Sequence, residues 1–345
     1  MRIIPFITSV CFLLTANVLY AQTIQSYEIE DGGSGPYKAI VVADESLPAF
    51  TVYRPVNMNA AVEAQGKLPV ILYANGACAN STVQMRFLLN DVASYGYIAV
   101  GIGPFDQEDP NTNWTNVLMR SYPEDKENVV LSNGTRISKP TPEQTAAAQE
   151  EQRKRFSNQN NTGTQAPFRT YPKQLLEALD WLTDQNADPE GEYFHLIDIE
   201  HVVVMGQSCG GAQALSVAHD PRVSTVIALN SGFGAMSMQG GSAKSLASLH
   251  TPVLYLIGGP TDIAYENAAG DFEAINHVPV VMINTRDGHN GTYYEKNGGP
   301  YAIVVRKWLD WQLKGKIGQS ALFLDDEYFS LLHSDWTIAR KNYQY

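Results

Sequence analysis

Apolar residues along the chain alternate between unbroken runs and helical spacing. Residues 68–73 are almost continuously apolar and run into Ala74-Asn75-Gly76, as does a strand buried on both faces that ends at a turn. Over 83–94, Met85, Leu88, Leu89 and Val92 fall on one side of a helix, and 97–102 is again an unbroken run. Strand, helix, strand in that order predicts a parallel βαβ unit. Upstream, 26–29, 37–42 and 50–53 are rich in β-branched and aromatic residues and predict strands of a hairpin-like start. Downstream, 171–185 predicts an amphipathic helix with Trp181 at or near the core. Strands are expected at 201–205, 223–229, 252–257 and 278–283. Helices are expected at 211–217 and 302–313, with Trp308 and Trp311 of the latter covering the sheet. This alternation, with no internal repeat, predicts an α/β fold: one doubly wound, mostly parallel sheet with helices on both faces.

Three segments depart from the pattern. Arg2 followed by an apolar run over 3–19 and the small residue Ala21 reads as a secretory signal peptide over 1–21, leaving 22–345 as one exported domain. No later run reaches the ~20 apolar residues of a transmembrane helix. Residues 105–168 are rich in Asp, Glu, Asn, Thr, Gln and Pro, with a polar helix expected at 141–156. A polar insertion of this length reads as a lid or binding loop. Residues 316–345 read as a C-terminal extension.

Composition narrows the function classes. In 345 residues, 36 acidic side chains oppose 24 basic ones, for a net charge of −12. Such a surface repels phosphate backbones and anionic membrane surfaces, which excludes nucleic acid as a natural partner. The three cysteines, Cys11, Cys78 and Cys209, form no C-x-x-C pair and no zinc-ligand cluster.

The sharpest chemical signal is Gly206-Gln207-Ser208-Cys209-Gly210-Gly211, a G-x-S-x-G turn between an apolar strand and a helix. There a sharp turn lifts the serine above the sheet edge, the flanking glycines let strand and helix pass closely, and the helix N-terminus favours negative charge at the serine oxygen. A serine nucleophile needs a base. Of the seven histidines, His289 alone lies in a Gly-flanked loop directly after an apolar strand; His195, His201, His219, His250, His277 and His333 read as ordinary core or surface residues. The orienting acid is expected at Asp262, in the loop after the preceding strand. Glu266 is a weaker choice, and Asp287 reads as a cap of its own turn. The oxyanion donors are expected to be the amides of Cys209 and Ala77. Asn75, Gly76, Gln207, Tyr265 and Asn290 are expected to face the substrate. Two amides converging on one oxygen bring their loops within several ångströms, so Cys78 and Cys209 are expected to form a disulfide.

Together the blocks Tyr73-Ala74-Asn75-Gly76-Ala77-Cys78, Gly206–Gly211, Gly258 to Asn267 and Gly288 to Thr292 resemble secreted α/β-hydrolases of the dienelactone-hydrolase and polyester-hydrolase-like superfamily. The resemblance implies the α/β-hydrolase fold and a Ser208–Asp262–His289 triad, and the mechanism of such a triad needs no cofactor or metal. Dienelactone hydrolases proper carry cysteine at the nucleophile position, and serine here favours ester hydrolysis. The expected activity is that of a secreted or periplasmic carboxylic-ester hydrolase acting on a small-molecule or polymer-borne ester. The alternatives are an amidase or peptidase using the same triad, and a non-catalytic binding protein on a hydrolase scaffold. Oligomeric state is not legible in the sequence.

Overall fold

The strands that are apolar on both faces lie side by side at the centre of a ten-stranded sheet, where only helices cover them. The computed structural model describes residues 25–161, 170–235, 237 and 240–343; the expected signal peptide, 1–21, lies outside the described residues. The described residues start with an antiparallel meander, β1 (Gln25–Glu28), β2 (Ala39–Ala43) and β3 (Phe50–Pro55), followed by α1 (Met58–Gln65). The sequence pattern had no signal for α1, a short helix of small residues capped by the Asn57 side chain. The predicted βαβ unit is β4 (Leu68–Ala74), α2 (Arg86–Ala93) and β5 (Ile98–Ile102), with its strands parallel.

The polar insertion folds into α3 (Pro110–Arg120), a hairpin of β6 (Asn128–Val130) and β7 (Arg136–Ser138), and α4 (Pro142–Asn161). The expected polar helix is therefore present and longer. The strand–helix alternation then resumes with α5 (Lys173–Ala187), β8 (Ile197–Gln207), α6 (Cys209–Val217), β9 (Val223–Leu229), α7 (Ala243–Leu246), β10 (Val253–Ile257), α8 (Tyr265–Ala274), β11 (Val280–Asn284) and α9 (Gly299–Gln312). Last come α10 (Ala321–Leu324), α11 (Asp326–Leu332) and β12 (Thr337–Lys341). In space the strands run β1-β2-β3-β5-β4-β8-β9-β10-β11-β12, parallel from β5 to β11. The molecule is thus a mixed α/β structure around a mostly parallel sheet.

The strand period of two splits the core into two layers. Val70, Leu72 and Ala74 of β4 join Leu175, Leu179 and Ala212 of α5 and α6 on one face. Ile71 and Tyr73 join Phe87, Leu88 and Trp308 of α2 and α9 on the other. Each large apolar side chain so buried contributes roughly 1.5–3 kcal/mol.

One expectation needs correction. The C-terminal segment is not an appendage, because β12 pairs antiparallel with β11 and completes the sheet edge. Trp308 covers the sheet, donating Nε1–H to Thr225 Oγ1 at 2.9 Å, and the half-buried Trp311 packs edge-on against Trp308 and stacks on Phe323 and Tyr343. Its role is to fasten the C-terminal segment to α9. Among the described residues no helix is long and apolar enough to cross a membrane.

Candidate active site

Parallel strands leave their C-terminal ends on one edge, so the loops after β4, β8, β9, β10 and β11 meet there. Ser208 sits between β8 and α6 at φ 53°, ψ −120°, a left-handed backbone that costs a non-glycine residue about 1–3 kcal/mol. Packing imposes it. A Cβ on Gly206 would stand 2.3 Å from the Gly210 carbonyl carbon, and one on Gly210 would stand 2.0 Å from the Ala74 oxygen. The main chain of Ser208 is also fixed: its N–H donates to Leu229 O at 2.9 Å and its carbonyl accepts from Ser231 Oγ at 2.6 Å.

His289 lies in a single 3-10 turn, Gly288–Asn290, after β11. Gly288 N–H donates to Gly258 O at 3.0 Å, and a Cβ on Gly258 would meet Gly288 O at 1.9 Å. The loops after β10 and β11 therefore run in contact, which brings Asp262 and His289 together. His289 Nδ1 is 2.6 Å from Asp262 Oδ1, and Nε2 is 3.0 Å from Ser208 Oγ. The three residues anticipated from the sequence form one continuous hydrogen-bonded line. The Asp262 side chain is wholly buried. Burial works against its charge, but the hydrogen bond and charge of His289, with the amides of Ala264 and Asn230, outweigh it and hold the carboxyl below its ordinary value. Asp262 is therefore ionised in the neutral range, where it fixes the imidazole with Nε2 turned to the serine.

Sequence reasoning missed Asn230. It is the first residue after β9, fully buried and left-handed at φ 46°. Its Nδ2 donates to Asp262 Oδ2 at 2.7 Å and to Gly288 O at 3.0 Å, and its Oδ1 accepts from the Tyr293 hydroxyl at 2.6 Å. One amide thus clamps the acid to the histidine loop. Burial pushes the Tyr293 phenol well above its usual pKa, so the hydroxyl remains a donor. The only available signal was a lone polar residue at the ligand edge of an apolar strand.

Ala77 and Cys78 follow β4, both at left-handed φ (55° and 52°). Cys78 is disulfide-bonded to Cys209 with a Cα separation of 5.3 Å, as expected. Cys209 is the first residue of α6, where an amide has no carbonyl to bond within its own helix. Ala77 lines the same cavity as Ser208 and His289, about 410 Å³ in volume.

The residues expected to face substrate divide. Gly76, Gln207 and Asn290 line the cavity. Gln207 is also a brace: its Nε2 donates to His289 O at 3.1 Å, and its Oε1 lies where a Cβ of Gly76 would be. Asn75 borders the cavity but is buried, its Nδ2 donating to Ala79 O and Ile102 O, so it holds the loop. Tyr265 packs half-buried against the core beneath the sheet and is absent from the cavity wall.

The opposite wall belongs to the insertion. Asn113, Trp114 and Val117 of α3 line the cavity. Trp114 donates Nε1–H to Gln84 O at 3.0 Å and stacks on Tyr293. Asp287 does not cap its turn as expected. Its Oδ1 accepts from Lys126 Nζ at 2.7 Å, and Asn290 donates to Ser121 O, so two polar contacts moor the insertion to the histidine loop. The remaining histidines lie elsewhere. His201 bonds Asp198, His219 bonds Ser216 O, His250 and His277 reach the carbonyls of Asp220 and Leu249, His195 packs on Phe194, and His333 stacks on Trp336. Among the described residues no group of three or more His, Cys, Asp or Glu is arranged to hold a metal ion. No family model matches the chain, and no curated protein matches it.

Proposed function

We propose that the protein is an exported serine hydrolase of the α/β-hydrolase type that cleaves carboxylic esters. The observation that carries this reading is the Ser208–His289–Asp262 line, at 3.0 and 2.6 Å, on a strained strand-to-helix turn. The chain order serine, acid, histidine is that of α/β-hydrolases. Ser208 Oγ bonds to the acyl carbon as its proton passes to His289 Nε2. Asp262 steadies the resulting imidazolium without taking its proton. The oxyanion is held by the amides of Ala77 and Cys209. As the ester C–O bond breaks, His289 returns the proton to the departing alcohol oxygen. Water, deprotonated by the same nitrogen, then releases the acid and restores Ser208. The steps draw on the three side chains, two main-chain amides and water, and call for no cofactor. The Cys78–Cys209 disulfide and the apolar N-terminal run support the exported location.

The test is labelling by a fluorophosphonate together with parallel assays on p-nitrophenyl esters and anilides. The expected result is ester turnover and labelling, both lost in Ser208→Ala. Anilide turnover that outpaces ester turnover would make the protein an amidase. Absence of both labelling and turnover would make it a binding protein on this scaffold.

A further inference from the structure

A second, smaller cavity of about 180 Å³ opens on the other side of Ser208, between the loop after β9 and the start of α8. Ser208 and Ile263 border both cavities, and the strongly exposed Ile263 stands between them. His289 borders only the larger one.

That asymmetry orients the substrate. In the tetrahedral intermediate the acyl carbon is bonded to Ser208 Oγ. The oxygen that departs must reach His289 Nε2, because that nitrogen carries the proton the alcohol needs to leave. The alcohol portion therefore extends on the His289 side, into the larger cavity, and the acyl chain extends the other way. We propose that the small cavity is the acyl site and the large one the alcohol site, so that the enzyme hydrolyses esters of short acids with bulky alcohols. This rests on the reading of Ser208 and His289 given above.

The sizes and the construction of the walls carry the selectivity. The larger cavity falls within the roughly 300–1,000 Å³ of sites for drug-sized ligands, and the smaller falls below it. On the side of the loop after β9 the small cavity is bounded by main chain that cannot recede, with Ile263 the exposed side chain at its rim. A Cβ on Gly232 would sit 2.6 Å from the Ala268 nitrogen. Buried Asp271 accepts from Phe233 N–H at 2.7 Å and from Gly234 N–H at 2.8 Å, which pins the loop behind it. Ser231 is fixed by its bond to Ser208 O. The large cavity instead presents mixed side chains of α3 and its neighbours: Trp114, Val117 and Met85 beside Gln84, Asn113 and Ser81. Such a wall suits an alcohol that is partly apolar and bears hydrogen-bonding groups.

The two halves of the reaction separate the sites experimentally, because deacylation occurs after the alcohol has left. p-Nitrophenyl esters from acetate to octanoate vary only the acyl group, and acetates of methanol, benzyl alcohol and a methyl glycoside vary only the alcohol. Across the acyl series, kcat/KM is expected to fall at least about tenfold between butyrate and octanoate, while the bulky acetates stay good substrates. Val117→Phe narrows the large cavity and should lower kcat/KM about tenfold for the bulky acetates relative to methyl acetate, with the acyl order kept. Asn267→Phe narrows the small one and should slow deacylation of the butyryl-enzyme more than of the acetyl-enzyme. Octanoate hydrolysed as fast as acetate, or an acyl order that shifts in Val117→Phe, would overturn the assignment. The wild-type series decides the question alone if either variant fails to fold. Fluorophosphonate labelling of Ser208 is run alongside. Its absence refutes the hydrolase reading itself, whereas labelling with a flat acyl series refutes only the assignment of the cavities.

Discussion

The Cys78–Cys209 disulfide joins the two segments proposed to supply the oxyanion donors, so its removal should affect stability and catalysis separately. The bond closes a sequence separation of 131 residues. The chain-entropy relation for a loop of that size gives about 5 kcal/mol at about 25 °C, an upper value because residual structure in the reduced chain lowers it. That is a large share of the roughly 5–15 kcal/mol by which domains are stable. Catalysis has a second dependence. Ala77, Cys78 and Ser208 are all non-glycine residues in left-handed backbone, and the cross-link ties the two strained turns together. If the Ala77 turn relaxes on reduction, one oxyanion donor is lost, at about 10²–10³ in kcat.

The Cys78→Ala/Cys209→Ala double variant, and the reduced wild type, should therefore show two changes. The urea midpoint should fall, with the slope rising because the unfolded chain becomes more expanded. At urea concentrations where the protein is fully folded, kcat should still be reduced while burial of the core fluorophores is unchanged. Intact mass with alkylation reports the redox state. Two reactive thiols in the non-reduced, denatured protein would refute the cross-link, and an unchanged kcat in a fully folded reduced enzyme would refute its role in holding the oxyanion donors.

Four further outcomes are expected. Ser208→Ala, His289→Ala and Asp262→Asn should each lower kcat by about 10⁴-fold or more, with double variants no worse than the worst single; additive losses, read from steady-state kinetics, would argue against a single unit. Asn230→Ala removes a bond to an ionised, buried carboxyl, so it should cost about 1.5–3 kcal/mol in urea melts at neutral pH. Because Asp262 is held below its ordinary 3.8, that cost should persist down to that value and shrink below it as the carboxyl protonates. Glu30 is pushed by burial from 4.5 up to about 7, so between those values the folded state binds more protons than the unfolded one. Wild-type stability should then fall as pH rises through that window, and Glu30→Gln should flatten the slope. Lys126→Met unpairs Asp287 and frees one mooring of the insertion; it should cost about 0.5–3 kcal/mol yet change kcat/KM ratios among esters, and unchanged ratios would show that the mooring is only structural.

How much of this was legible in the sequence follows from which contacts decide each element. β4 and β10 announce themselves because strands covered on both faces need apolar residues along their whole length, and β9 does so from Val226 onward, after Ser224 and Thr225. The serine turn is legible because its glycines form a recognisable local pattern, although only Gly206 is dictated by the turn's own atoms; Gly210 is required by the main chain of Ala74 and Asn75 at the end of β4. The positions of Asp262 and His289 followed from the rule that parallel strands collect their loops at one edge. The hidden elements are those decided by something distant in sequence. β12, Thr337–Lys341, carries a short, non-alternating and partly charged pattern that forms a strand because β11 offers it an unpaired edge. The β6–β7 hairpin has three residues in each strand, too short for periodicity to register. Asn230 and Lys126 have no motif at all. Asn230 matters because the acid loop and the histidine loop both pass its amide, and Lys126 because Asp287, 161 residues away, lies within reach of its ammonium. In this protein the proposed reacting groups are therefore written in local motifs, whereas the groups that hold them in register, and the cavity wall opposite them, are set by tertiary contact. That division implies that variants of the second kind will alter selectivity and pH response before they abolish turnover.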